Sequence, residues 1–138
     1  MSDSLVQLID PPELGPGHPA YANIIKVSLG EVDLITIAGQ VATRPNGEIP
    51  ESLEEQVDLV FSKVQACLAA VGARVQDLTR LVYYMVEYDG IATREYMIKK
   101  MIAFLNGHRP ASCLLVVKSL SKPEFKLEIE GQAVVRRV

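Results

Sequence analysis

The stretch Lys126-Leu-Glu-Ile-Glu-Gly-Gln-Ala-Val134 decides the fold. Leu127, Ile129, Gly131 and Ala133 fall on one side of an extended chain, and Lys126, Glu128, Glu130 and Gln132 on the other. That period of two is the mark of a β-strand with one buried face. A strand of this kind needs a sheet around it and something apolar packed against the Leu127 side.

The rest of the chain supplies both. Asn23 to Leu29 and Leu34 to Ala38 are short, rich in β-branched residues and separated by Gly-Glu-Val-Asp, which reads as a hairpin. Arg44-Pro45-Asn46-Gly47 is a turn. From Ser52, with Glu55 three positions on, Leu53, Val57, Val60, Phe61, Val64, Leu68 and Val71 recur at helical spacing until Gly72 ends the helix. Leu81 to Val86 is too continuously apolar for one helix face and reads as a central strand. A second helix is expected from Thr93 to Leu105, stopped by Asn106-Gly107, and a buried strand from Ser112 to Val117. The order is ββαβαββ, and it predicts an α+β fold: a mixed sheet with two helices packed on one face.

Four of the eight prolines lie in the first 20 residues, with Gly15 and Gly17 between them, so an extended arm without regular structure is expected over 1–20. The 138 residues fit a single domain, 1–138. With hydrophobic residues at 49% and charged ones at 22%, the composition is that of a globular protein. The helix-free side of such a sheet needs cover. Because Leu114 to Val117 is apolar on both sides, a homo-oligomer is favoured over a monomer with a partly exposed sheet.

Several function classes recede. A formal net charge of -3 gives no broad cationic field, which argues against nucleic acid as a partner. Cys67 and Cys113 stand far apart, and His18 and His108 are the two histidines, so no metal site and no cofactor is expected. The start of the chain lacks a basic, then apolar, leader, and no apolar run reaches membrane-spanning length; a cytoplasmic protein with no membrane partner is the expectation. Gly15-Pro16-Gly17 leads into proline and turn, so it is no phosphate loop.

The candidates for chemistry are few. Glu128 and Glu130 share a strand face with carboxylates about 6 to 7 Å apart, a spacing fit for proton transfer if the face is a cleft and for a solvated face if it is not. Cys113 at the start of a strand is a small hydrophobe more readily than a nucleophile, and His108 has no orienting third group beside it. Arg109 carries a guanidinium fork fit for a carboxylate, with a surface ion pair as the plain alternative. Tyr83, Tyr84 and Tyr88 read as core and cleft lining.

Taken in order, Gly15-Pro16, Ile37-Ala-Gly-Gln40, Gly47, Gln56, Leu68-Ala-Ala-Val-Gly72, Pro110-Ala-Ser-Cys113 and Glu128-Ile-Glu130 resemble the RidA/YjgF family, the reactive imine and enamine deaminases once labelled endoribonuclease L-PSP. The resemblance runs over nearly the whole chain. It implies a chorismate-mutase-like fold and a homotrimer with a cleft between each pair of subunits, where a small metabolite binds. Glu128 would position the attacking water, and Ser112, Cys113, Gly39 and Tyr21 would line the ligand site. Deaminating members carry their carboxylate-binding arginine in Pro-Ala-Arg-Ser-Cys; here Ala111 holds that place, and Arg109 becomes the candidate substitute. The resemblance therefore implies either hydrolytic deamination of an imine or enamine other than the usual 2-imino acids, or a non-catalytic ligand sensor or interaction protein on the same scaffold.

Overall fold

The computed structural model describes residues 4–137. Six strands form one mixed sheet in the order β1-β2-β3-β6-β4-β5. They are β1 (Val6–Ile9), β2 (Ile24–Leu29), β3 (Val32–Val41), β4 (Leu78–Met85), β5 (Ala111–Val116) and β6 (Leu127–Arg136), joined by helices α1 (Leu53–Ala70) and α2 (Gly90–Leu105). All neighbours are antiparallel except β4 and β5, which run parallel across the α2 connection. A parallel pair needs such a crossover, because a tight turn can only reverse the chain.

The alternation in β6 is realised. Leu127, Ile129 and Ala133 are buried against Val57, Val60, Phe61 and Leu68 of α1, and Met97 brings α2 to the same side. Phe61 lies between Tyr83 of β4 and Phe104 of α2, with ring centroids 6.4 and 4.7 Å apart. Each large apolar side chain buried here contributes about 1.5–3 kcal/mol, so this face holds the two layers together. Glu128, Glu130 and Gln132 rise from the opposite, helix-free face.

Local signals act as their chemistry requires. Ser52 Oγ accepts the Glu55 N–H at 3.1 Å and caps α1. Gly72 closes it at φ 70°, a conformation that L side chains rarely adopt. α2 starts about a turn before Thr93, because Thr93 Oγ1 accepts the Asp89 N–H at 3.2 Å and so satisfies a donor one turn earlier. It stops at Asn106 and Gly107, both at positive φ.

Two expectations change. Regular structure is present in the arm: Val6–Ile9 pairs with β2 as an edge strand, and Pro12–Leu14 forms a 3-10 turn. The prolines begin only at Pro11, so they restrain the segment after β1 and leave β1 itself free to pair. The expectation for residues 1–3 lies outside the described residues. Second, β5 is not buried. It is the outermost strand beyond β4, bonded on one side, and Leu115 and Val116 are 44% and 59% exposed in the single chain.

Candidate functional site

Glu128 stands where β3 bulges. The β3–β6 register runs Ile37↔Gly131 and then Gln40↔Ile129, so β3 carries one extra residue around Ala38 and Gly39. The extra length lifts Gly39 under the Glu128 carboxylate. A Cβ at Gly39 would fall inside that carboxylate, so the glycine sets where the carboxylate lies by close approach and not by an unusual backbone angle. Burial first, and the nearby Glu130 charge second, hold the Glu128 carboxyl above its ordinary value of 4.5. Tyr21, Ala38, Val41 and Ser121 complete a hollow of about 290 Å³ around Glu128 and Gly39.

The N-terminal segment is tied to this bulge by a chain of amides. Asp10 Oδ1 accepts from the Asn23 N–H and the Asn23 side chain at 2.9 and 3.0 Å. Asn23 Oδ1 in turn accepts from the buried Gln40 Nε2 at 3.1 Å, and Gln40 Nε2 also reaches the Ala38 carbonyl at 3.0 Å. Tyr21 is thereby held at the Gly39 edge, stacked on His18 with centroids 4.4 Å apart. On the other side Gln56, fully buried, donates to the Pro50 and Glu124 carbonyls and accepts the Lys126 N–H, each at 2.8 Å. That clamp holds the segment before β6 against the start of α1.

Cys113 belongs to a second hollow on the helix-free face, of about 210 Å³, where it meets Arg80, Tyr84, Glu130, Gln132 and Thr36. The Tyr84 hydroxyl donates to Glu130 Oε1, and this bond is the main cause of a raised Tyr84 pKa. The two adjacent carboxylates therefore differ: Glu130 has a phenol partner, whereas Glu128 has its own hollow.

Arg109 and Ser112 are placed elsewhere. They line a groove on the helix side with Ile98, Met101 and Ile102 of α2. Ser112 pairs with Leu81 and so faces the core side, while Cys113 pairs with Val82 on the opposite side. Arg109 precedes β5, across Pro110 from Ala111, and its side chain leaves the Ala111 line there. His108 Nε2 donates to the Leu78 carbonyl at 2.8 Å, and His108 lines the groove with Arg109, not the hollow of Cys113. Within one chain, then, Glu128, Gly39 and Tyr21 come together, Cys113 lies apart with Glu130, and Arg109 with Ser112 lies on the other side of the sheet. Among the described residues no three His, Cys, Asp or Glu side chains converge as a metal site would need.

A family model described as Endoribonuclease L-PSP matches residues 19–135. The chain belongs to the endoribonuclease L-PSP family, the RidA/YjgF group. The 2-iminobutanoate/2-iminopropanoate deaminase of Escherichia coli K12 is 29% identical over 111 residues, covering 80% of this chain and 84% of that protein. The crystal structure of E. coli TdcF with bound serine superposes with a TM-score of 0.75 at 27% identity, over 94% of this chain and 98% of that one. The yeast protein YEO7 shares the fold at a TM-score of 0.81 and 18% identity, over 95% and 99% of the two chains.

In this L-PSP family chain the group that sequence reasoning missed is Arg80. It pairs with Ala111 in the β4–β5 ladder and with Gln132 across β6, so it shares the helix-free face with Cys113 and Glu130. Its parity with Val82 and Tyr84 was visible in the sequence. The register that sets it beside Ala111 was not, because strands distant in sequence pair according to the whole sheet.

Proposed function

We propose that this chain assembles as a homotrimer whose intersubunit clefts bind a small metabolite and hydrolyse its imine or enamine form, with Glu128 as the proton-transfer group. One observation carries the reading: a half-buried carboxyl with a raised pKa, seated over a glycine in a hollow large enough for a few non-hydrogen atoms. Burial that raises a carboxyl's pKa lets it hold a proton more readily than an exposed one, as a proton-transfer group must.

The reaction balances with water alone. Glu128 takes a proton from water as the oxygen bonds to the imine carbon, and passes that same proton to the nitrogen as the C=N π pair moves onto it, which restores the carboxylate. The carbinolamine then returns the hydroxyl proton, through Glu128, to nitrogen. The C–N bond breaks, ammonia leaves with the bonding pair, and a carbonyl remains. An enamine enters the same route after protonation at carbon gives the imine. The activity named for the E. coli relative, and the serine held by TdcF, support a ligand the size of a small amino acid.

The trimer is supported by the helix-free face. Val6, Leu8, Leu34, Leu115 and Val134 are exposed in the single chain, all on the helix-free face of the sheet. An apolar face of that extent is ordinarily covered. Ala111, where deaminating members have arginine, favours the second reading, a binder without turnover.

The test is ammonia release from freshly generated 2-imino acids by the wild type beside Glu128→Gln. Turnover lost in the variant supports hydrolysis. Turnover that survives it, or a wild type inert toward every imine offered, would remove the catalytic reading and leave the ligand-binding one.

A further inference from the structure

Arg80 and Ala111 are register partners on adjacent parallel strands, so their Cα atoms are about 4.8 Å apart and their side chains leave the same face. Ala111 stops at Cβ and leaves the space above it to its neighbour. Arg80 is exposed, and among the described residues no ion pair or hydrogen bond engages its guanidinium. Glu130, the carboxylate in the same hollow, accepts the Tyr84 hydroxyl and forms no ion pair with Arg80. Around Arg80 stand the Thr36 hydroxyl, the Gln132 amide and the Cys113 thiol, groups that can all donate a hydrogen bond to an anion.

The hollow of about 210 Å³ also holds the Glu130 carboxylate, which accepts the Tyr84 hydroxyl; the guanidinium, with the neutral donors Thr36, Gln132 and Cys113 beside it, is the group there with the chemistry of a carboxylate subsite. We propose that Arg80 is the anion anchor of this protein, receiving the carboxylate of a small organic acid through its fork, with Gln132 and Thr36 completing the hydrogen bonds. Arg109 does not serve that end, since it opens onto the groove with Ile98, Met101 and Ile102. The inference deepens the function proposed above by naming the ligand class, and it rests on that reading only for the identity of the acid.

The experiment is pyruvate binding, followed by calorimetry or by NMR shifts, to the assembled Glu128→Gln protein, in which turnover is blocked. Arg80→Gln should weaken binding about tenfold or more, with Arg80→Lys between the two because it keeps the charge and loses the fork. Methyl pyruvate, which lacks the charge, should fail to compete. Unchanged melting temperature and oligomeric state in Arg80→Gln separate loss of the anchor from loss of the fold. Pyruvate binding that is indifferent to Arg80→Gln, binding lost instead in Arg109→Ala, or no binding at tens of millimolar would each overturn the anchor. Its failure is distinguishable from failure of the catalytic reading: Arg80-dependent binding without imine turnover keeps the anchor and removes the enzyme, and Arg80-independent turnover does the reverse.

Discussion

Glu128 and Gly39 touch across the β3–β6 bulge, and the carboxylate occupies the space where a Cβ of residue 39 would be. The contact places the end of a flexible side chain against a backbone, so crowding it moves the carboxylate and leaves the strands in place. Gly131 offers the contrast. A Cβ there would lie 2.8 Å from Leu81 Cδ2 and 3.1 Å from the Arg80 carbonyl, inside the packed sheet.

Gly39→Ala should therefore keep its thermal midpoint to within a few degrees and lose most of any Glu128-dependent turnover. Gly131→Ala should lose about 1–3 kcal/mol of stability, as overpacked cores do. Thermal melts and ammonia-release assays on the two variants check the split. A Gly39→Ala protein with full activity would mean that the position of Glu128 is not critical.

The pH dependence of stability is set by the sign of the Glu128 shift. Its folded carboxyl binds its proton more tightly than the unfolded one, so between the two pKa values the native state holds the extra proton. Stability from this group is greatest below the unfolded value and falls as pH rises through the folded one. Glu128→Gln removes the titration. The variant should match the wild type most closely near pH 4 and exceed it by a growing margin toward pH 7, measured by urea unfolding at a series of pH values. A margin that shrank with pH would contradict burial as the cause.

The layers of the fold were legible because they rest on local periodicity: two for Leu127 to Ala133, 3.6 for Leu53 to Val71. Glu128, Gly39 and Tyr21 were grouped by the resemblance alone, and one hollow holds all three. The side of the sheet on which Arg109 ends was not legible, since it turns on the backbone around Pro110. Nor was the neighbour of Ala111, because the pairing of Arg80 with it is set by the parallel crossover through α2. The strand in Val6–Ile9 was hidden by the prolines that come after it. Pairing to β2 is a long-range choice that composition does not encode.

Gln56 should be among the most sensitive polar positions. Removing it leaves the Lys126 N–H and the Pro50 and Glu124 carbonyls without their partner in a buried setting. Each unsatisfied group costs about 1–3 kcal/mol, less where water can enter, so Gln56→Ala should lose about 2–4 kcal/mol in denaturant unfolding. Gln56→Glu should also destabilise, because a carboxylate there would replace the donating amide and face two carbonyl oxygens. A loss under about 1 kcal/mol in Gln56→Ala would mean that water takes the clamp's place.

The helix-free face tests the assembly. Leu34 and Val134 are register partners on β3 and β6, and both are exposed in the single chain. Val134→Asp places a charge in the middle of any interface formed there, and an unpaired buried charge is strongly unfavourable. Sedimentation should give a trimer for the wild type and smaller species for Val134→Asp, with a folded far-UV spectrum in both. A wild type that sediments as a monomer would remove the trimer.

Mixed assemblies connect the two hollows. Arg80 sits opposite Gln132, four residues along β6 from Glu128, which is about 13 Å between Cα positions. A ligand the size of pyruvate or serine does not span that distance easily, so the anchor and the carboxyl that serve one ligand are expected to come from neighbouring subunits. Arg80→Gln and Glu128→Gln proteins should each be inactive alone. When they are unfolded together and refolded, about a quarter of the clefts in a random trimer receive an intact Arg80 from one chain and an intact Glu128 from the next, as cyclic symmetry requires. Recovery of about a quarter of the wild-type rate would establish the two residues as partners across the interface. No recovery in well-mixed trimers would place them in the same chain, since every chain then lacks one of the pair, and the ligand would have to bridge the strand.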